Sequence, residues 1–133
     1  MATNVHELQV FQRACLAADE LFAVIRATPL GRDRDLSAQL NRGSIRVVSD
    51  IAEGFEQKTD RHFARYLYDA RGGAAEIRAQ LGIAQRHGYI TMADCERVSG
   101  GYVDVGRMLS GLIAYLEREG REHRWKKEKG EPE

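Results

Sequence analysis

The side chains that could do chemistry here are four histidines, two cysteines and several glutamates set beside glutamine or arginine at helical spacing. His6, His62, His87 and His123 make no His-Glu-x-x-His zinc motif. No Glu-x-x-His pair is present of the kind that builds di-iron sites in helical bundles. No metal or cofactor is therefore expected. Cys15 and Cys95 are too few for a disulfide framework and read as reduced thiols. Within one helical turn on the C-terminal side only Arg97, near Cys95, offers a basic neighbour, so thiolate activation is unsupported. No serine sits in a Gly-x-Ser-x-Gly elbow. The glycine pair Gly72-Gly73 falls within a helical pattern, where it cannot cradle a phosphate. No catalytic residue is assigned, and the chain is not expected to be an enzyme.

Two polar constellations remain. Gln39, Arg42, Arg46, Ser49 and Glu53 step by three and four along one line, and Glu76 and Gln80 form an i,i+4 pair. They read either as solvated faces or as a partly buried network of Gln39, Arg42, Glu53, Glu76 and Gln80. In the second case the Arg42 fork meets Glu53 or Glu76 of a neighbouring helix. For nucleic acid, the candidates are Arg61, Arg65, Arg71, Arg78 and Arg86, joined by Arg42 and Arg46 if the fold brings the faces together. Phosphate binding needs several cations on one backbone. Asp60, Asp69 and Glu76 interrupt the stripe, so only assembly of several subunits would concentrate the arginines at one rim.

These residues lie on helices. Leu8, Phe11, Cys15, Ala18, Phe22 and Ile25 recur as one helical face, predicting a helix from about Val5 to Ala27. Thr28-Pro29-Leu30-Gly31 ends it. A second helix runs from about Leu36 to Gly54, with Leu40, Val47 and Ile51 inward and Ile45, Val48 and Ala52 beside them. Thr59 caps a third, which ends at His87-Gly88. Its core stripe is Phe63, Leu67, Ala70, Ala74, Ile77, Leu81 and Ala84. Thr91 opens the fourth, with Asp94 in a capping-box-like position. Its stripe is Val98, Tyr102, Val105, Leu109, Leu112 and Leu116. No segment alternates as a half-buried strand does. The fold class is all-α, an antiparallel up-down-up-down four-helix bundle over residues 1–120. Residues 121–133 are a charged C-terminal tail, read as frayed or solvated, with Trp125 its one large apolar side chain.

Composition agrees with this. The 133 residues make one domain, and 43% hydrophobic with 30% charged residues excludes a disordered chain. Twenty basic residues balance twenty acidic ones, which weighs against a strongly basic nucleic-acid binder. No signal peptide is visible, and no apolar run approaches the roughly 20 residues of a membrane span. The expected location is cytoplasmic, away from membranes.

The third helix has a second face. Opposite its core stripe lie Ala64, Tyr68, Gly72, Ala75, Ala79 and Gly82 where a lone bundle would be charged. The fourth repeats this with Ser99, Val103, Gly106, Ser110 and Ala114. The first adds Val10, Ala14, Ala17, Leu21 and Val24. Glycine within a helix costs about 1 kcal/mol relative to alanine, so Gly72, Gly73, Gly82, Gly106 and Gly111 together cost ~5 kcal/mol. Close approach of another backbone would offset that. The glycines serve either packing within one chain or contact between copies. The second reading places Tyr68, Gly72, Ala75, Ala79 and Gly82 at a subunit interface.

Gln39-Leu40-Asn41-Arg42-Gly43-Ser44-Ile45 followed by Ser49-Asp50-Ile51-Ala52-Glu53-Gly54 resembles the hallmark stretch of a four-helix-bundle family, the 23S rRNA intervening sequence proteins. That pattern runs roughly Gln-Leu-Arg-Arg-Ala-x-x-Ser-Ile, then Asn-Ile-Ala-Glu-Gly. The likeness continues through Phe63, Tyr66-Leu67, Ala70, Gly72, Glu76, Gln80-Leu81, Ala84 and Gly88-Tyr89-Ile90. It covers about Glu7 to Arg118. The resemblance implies a left-handed up-down bundle assembled as a barrel-like homopentamer. The family is named for genomic position within rRNA genes, not for an activity. A similar accessory protein of diversity-generating retroelements is basic, binds nucleic acid and partners a reverse transcriptase. Asn41, Gly43 and Asp50 depart from the usual Arg, Ala and Asn. They remove one positive charge and add a negative one, which weighs against RNA binding. The leading expectation is a non-enzymatic homo-oligomeric scaffold, pentameric by resemblance. The alternative is a nucleic-acid-binding accessory protein using Arg42, Arg46, Arg61 and Arg65 clustered by oligomerisation.

Overall fold

The computed structural model describes residues 2–118. The tail at 121–133, with Trp125, lies outside the described residues. Four helices carry the fold: α1 (Gln9–Ala27), α2 (Arg34–Phe55), α3 (Asp60–Arg86) and α4 (Met92–Leu116). Among the described residues there is no strand.

Each helix starts on a side-chain oxygen, except α1, whose cap position is Leu8. Asp33 accepts from the Leu36 N–H, Thr59 from His62 and Thr91 from Asp94. These contacts satisfy donors that have no partner within the helix. The Asp94 carboxylate does not complete a capping box, because it turns to Arg97 at 3.2 Å. At its end α3 closes in a Schellman turn. Tyr89 N–H reaches Ala84 O and Gly88 N–H reaches Gln85 O, both at 3.0 Å. This turn needs the left-handed backbone of Gly88, with φ of 75°. The Tyr89 hydroxyl then donates to Asp33 at 3.0 Å, joining the end of α3 to the start of α2.

Inter-helix contacts fix the directions. Positions Gly43 and Gly73 of the α2–α3 pair pack against Ile77 and Val47, while Gly54 meets Phe63. Tyr68 bonds Glu117, Arg71 bonds Ser110, and the Cys95 thiol faces Leu81 O. Arg13 pairs with Asp104 and Glu20 with Arg97. In each pair one number rises as the other falls, so neighbouring helices are antiparallel. The order around the bundle is α1, α2, α3, α4, and α4 closes back on α1.

The core stripe expected for α3 is fully buried from Phe63 to Ala84. In α1 the two stripes exchange roles. Val10, Ala14, Ala17, Leu21 and Val24, expected on the second face, are buried in the bundle core. Of the expected core stripe only Ala18 and Ile25 are buried, and Phe11, Cys15 and Phe22 are half-buried at its edge. The cause is local. The chain forms a 3-10 turn at Val5–Glu7, and Leu8 is extended, so the α-helix begins at Gln9. The smaller stripe faces inward, where Ala17 packs beside Gly101 of α4 and lets α1 and α4 approach closely. Ile45 is 56% exposed, not tucked beside the core, and Ile113 is buried where Leu112 was expected to be.

Candidate functional site

The face shared by α3 and α4 is smooth and cationic. Tyr68, Gly72, Ala75 and Ala79 are exposed and Gly82 is half-buried, whereas Ala64 is buried. The proposed interface strip is therefore open in the single chain, apart from Ala64. Opposite it on α4 stand Val103, Gly106 and Ser110. Between the helices runs a groove of about 470 Å³ with Ala74, Ala75 and Gly106 among its lining and Arg71, Arg78 and Arg107 on its borders.

Arg71 is held in place. Its Nη1 donates to Ser110 Oγ at 3.1 Å, and its guanidinium lies 4.9 Å from the Tyr68 ring centroid. Tyr68 is anchored in turn by its hydroxyl, which donates to both Glu117 carboxylate oxygens at 2.9 and 3.1 Å. That hydrogen bond, more than burial or the negative charge, pushes the phenol above its usual range, so it remains a donor.

A second cleft lies between α2 and α3, about 280 Å³ in volume, lined by Gln39, Arg42, Gly43, Arg46, Glu76 and Gln80. Four members of the expected polar network meet there. The network itself is thin: Gln80 Nε2 donates to Gln39 Oε1 at 3.2 Å. No ion pair joins Arg42 to Glu76 within 4.0 Å. Glu53 stands apart, because eleven residues of one helix separate it from Arg42 by about 16 Å. Arg46 turns along its own helix to Asp50 at 3.8 Å.

The four arginines proposed for nucleic acid are not gathered within one chain. Val47 of α2 sits opposite Gly73 of α3. Arg61 is twelve residues before Gly73, about 18 Å along the axis at 1.5 Å per residue. Arg65 is about 12 Å away by the same rise. The structure instead groups Arg71 and Arg78 with Arg107. Sequence reasoning named the first two and missed Arg107, although it adjoins Gly106 on the second face of α4. The Tyr68–Glu117 link was also missed, since it depends on the level at which α4 ends.

The reactive residues are dispersed. His62 Nδ1 lies 3.0 Å from Thr59 Oγ1, and His87 stacks on Tyr89. Burial, then the charge of Asp19, pushes the Cys15 thiol up, away from a thiolate. Among the described residues no group of three or more His, Cys, Asp or Glu could hold a metal ion. Among the described residues no helix is long and apolar enough to cross a membrane.

Helix order, antiparallel neighbours and a single shared core define an up-down four-helix bundle. The chain belongs to the 23S rRNA-intervening sequence protein family, whose pattern matches residues 6–111. Its fold is similar to the crystal structure of a protein of unknown function from the S23 ribosomal protein family of Bacteroides thetaiotaomicron. The two share 19% identity and a TM-score of 0.70, covering 82% of this chain and 99% of that one. No curated protein matches the chain.

Proposed function

We propose that this protein is a non-enzymatic scaffold that assembles with copies of itself through the exposed strip of small residues on α3. One observation carries the reading. A β-carbon built on Gly72 or Gly82 would meet no atom within 4 Å. At Gly43, Gly54, Gly73 and Gly101 it would meet atoms of this chain between 2.8 and 3.3 Å away. The second group serves packing within the bundle. The first costs helix stability, about 1 kcal/mol each, with no return inside one chain. A second backbone lying close against the face supplies that return, and the exposed Tyr68 ring, beside Ala75 and Ala79, gives it apolar area to cover. The count of five rests on the family resemblance, while the face itself argues for self-association.

Light scattering at micromolar concentration tests the reading. The expected mass is a multiple of the 15.0 kDa chain, and five copies under the pentamer reading. A single-chain mass overturns the proposal.

A further inference from the structure

The groove between α3 and α4 has three guanidinium groups on its borders and no carboxylate in its lining. Among the described residues Arg78 and Arg107 make no ion pair and no side-chain hydrogen bond. The nearby acids are engaged elsewhere. Asp104 pairs with Arg13 of α1 at 3.3 Å, and Glu117 accepts the Tyr68 hydroxyl. Positive charge thus accumulates locally in a chain whose formal net charge is zero.

Arg71 is also ordered before any ligand arrives. Ser110 takes one N–H and Tyr68 covers one face, which leaves further donors of a five-donor fork to bind an anion. An arginine fixed in advance loses less side-chain entropy on binding. The small lining residues Ala75 and Gly106 keep the floor low, so a ligand can settle between the arginine side chains; this rests on the contact between copies running along Tyr68, Gly72, Ala79 and Gly82 and leaving the groove open.

We propose that the Arg71–Arg78–Arg107 groove binds a phosphate-bearing ligand. A phosphomonoester brings three acceptor oxygens and nearly two negative charges, whereas a lone carboxylate neutralises one cation of the three. Guanidinium forks match phosphate oxygens in bidentate pairs. The volume of about 470 Å³ falls within the usual span of small-ligand sites. Phosphate of this kind comes as a free phosphate or a nucleotide, while the backbone of a single-stranded nucleic acid offers diesters with one charge and two free oxygens each.

The test titrates the full chain with inorganic phosphate, a nucleoside triphosphate and a labelled twelve-nucleotide single strand. The wild type is compared with the Arg78→Gln/Arg107→Gln double variant. Arg26→Gln/Arg34→Gln, near the α1–α2 connection, changes the charge equally and serves as control. Loss of two charge-assisted contacts predicts a fall in affinity of at least ~30-fold for the groove variant and under ~3-fold for the control. Lysine at both groove positions restores part of the binding. Binding of phosphate or nucleotide assigns a small ligand, and binding of the strand alone assigns a nucleic-acid backbone. The proposal is overturned if no probe binds, or if both variants lose affinity equally. Light scattering on the same samples keeps assembly separate. Lost binding at unchanged mass supports the site. Loss of both assigns the arginines to the contact between copies and overturns it.

Discussion

Gly54 of α2 backs directly onto Tyr66 of α3: a β-carbon placed there would stand 2.8 Å from the tyrosine Cβ and 3.0 Å from the Phe63 ring. That closeness brings the end of α2 against the first turns of α3, where the Phe55 and Phe63 rings meet edge to face at 6.0 Å. Neither neighbour is a flexible chain end that can swing aside. Gly54→Ala is therefore expected to destabilise the fold by about 1–3 kcal/mol through overpacking. Gly72→Ala meets nothing within 4 Å and is expected to stabilise the dissociated chain by up to ~1 kcal/mol. Urea denaturation in dilute solution separates the two. Equal effects would mean that the inward and outward glycines are wrongly distinguished.

Charge placed on the two sides of α3 should act on different levels of organisation. Ile77 is fully buried, so Ile77→Glu leaves an unpaired charge in the core, at a cost of about 3–5 kcal/mol. Circular dichroism is expected to show loss of the folded state. Ala79 is exposed and Gly82 half-buried. Ala79→Glu and Gly82→Glu should keep helical content and lower the mass seen by light scattering. Retained assembly in both would place the contact between copies on another face.

Asp50 gives a pH signature. It is 5% exposed, and burial pushes its carboxyl above the usual carboxylate range. Arg46 opposes that shift, while Asp69 and Glu53 add to it. The folded state therefore binds the proton more tightly than the unfolded chain does. Between the ordinary value of 3.8 and the raised one, stability falls as pH rises; above that window the loss is complete and constant. Asp50→Asn, the residue usual in the family, should flatten this window and raise stability at neutral pH. Denaturation midpoints measured across the acid range decide it, and an unchanged slope would contradict the assignment.

Thr91 supplies the first turn of α4 with its hydroxyl, 3.0 Å from the Asp94 N–H. Thr91→Ala should cost about 1 kcal/mol, and Thr91→Ser should recover most of it. Thermal melts of the pair check this. A fully stable alanine variant would show that water caps the helix equally well.

The sequence by itself determined the four helices, because a three-four period over long segments leaves little alternative. Proline and glycine punctuated them where the backbone cannot continue, as at Pro29 and Gly88. It also determined which side of α3 is core, since that stripe is apolar without interruption from Phe63 to Ala84. In α1 it left two apolar stripes of similar strength, and only packing chose between them. The small Ala17 turns inward because α4 presents Gly101 to it, a fact held on another helix. The candidate site divides in the same way. Gly72, Ala75 and Ala79 could be read as an outward strip from their angular positions alone. That Arg107 joins Arg71 and Arg78, and that Glu53 leaves the Gln39–Gln80 pair, follows from how far one helix is shifted along another. Side-chain periodicity specifies a rotation about a helix axis. The axial offset between helices comes from their contacts, which belong to no single segment.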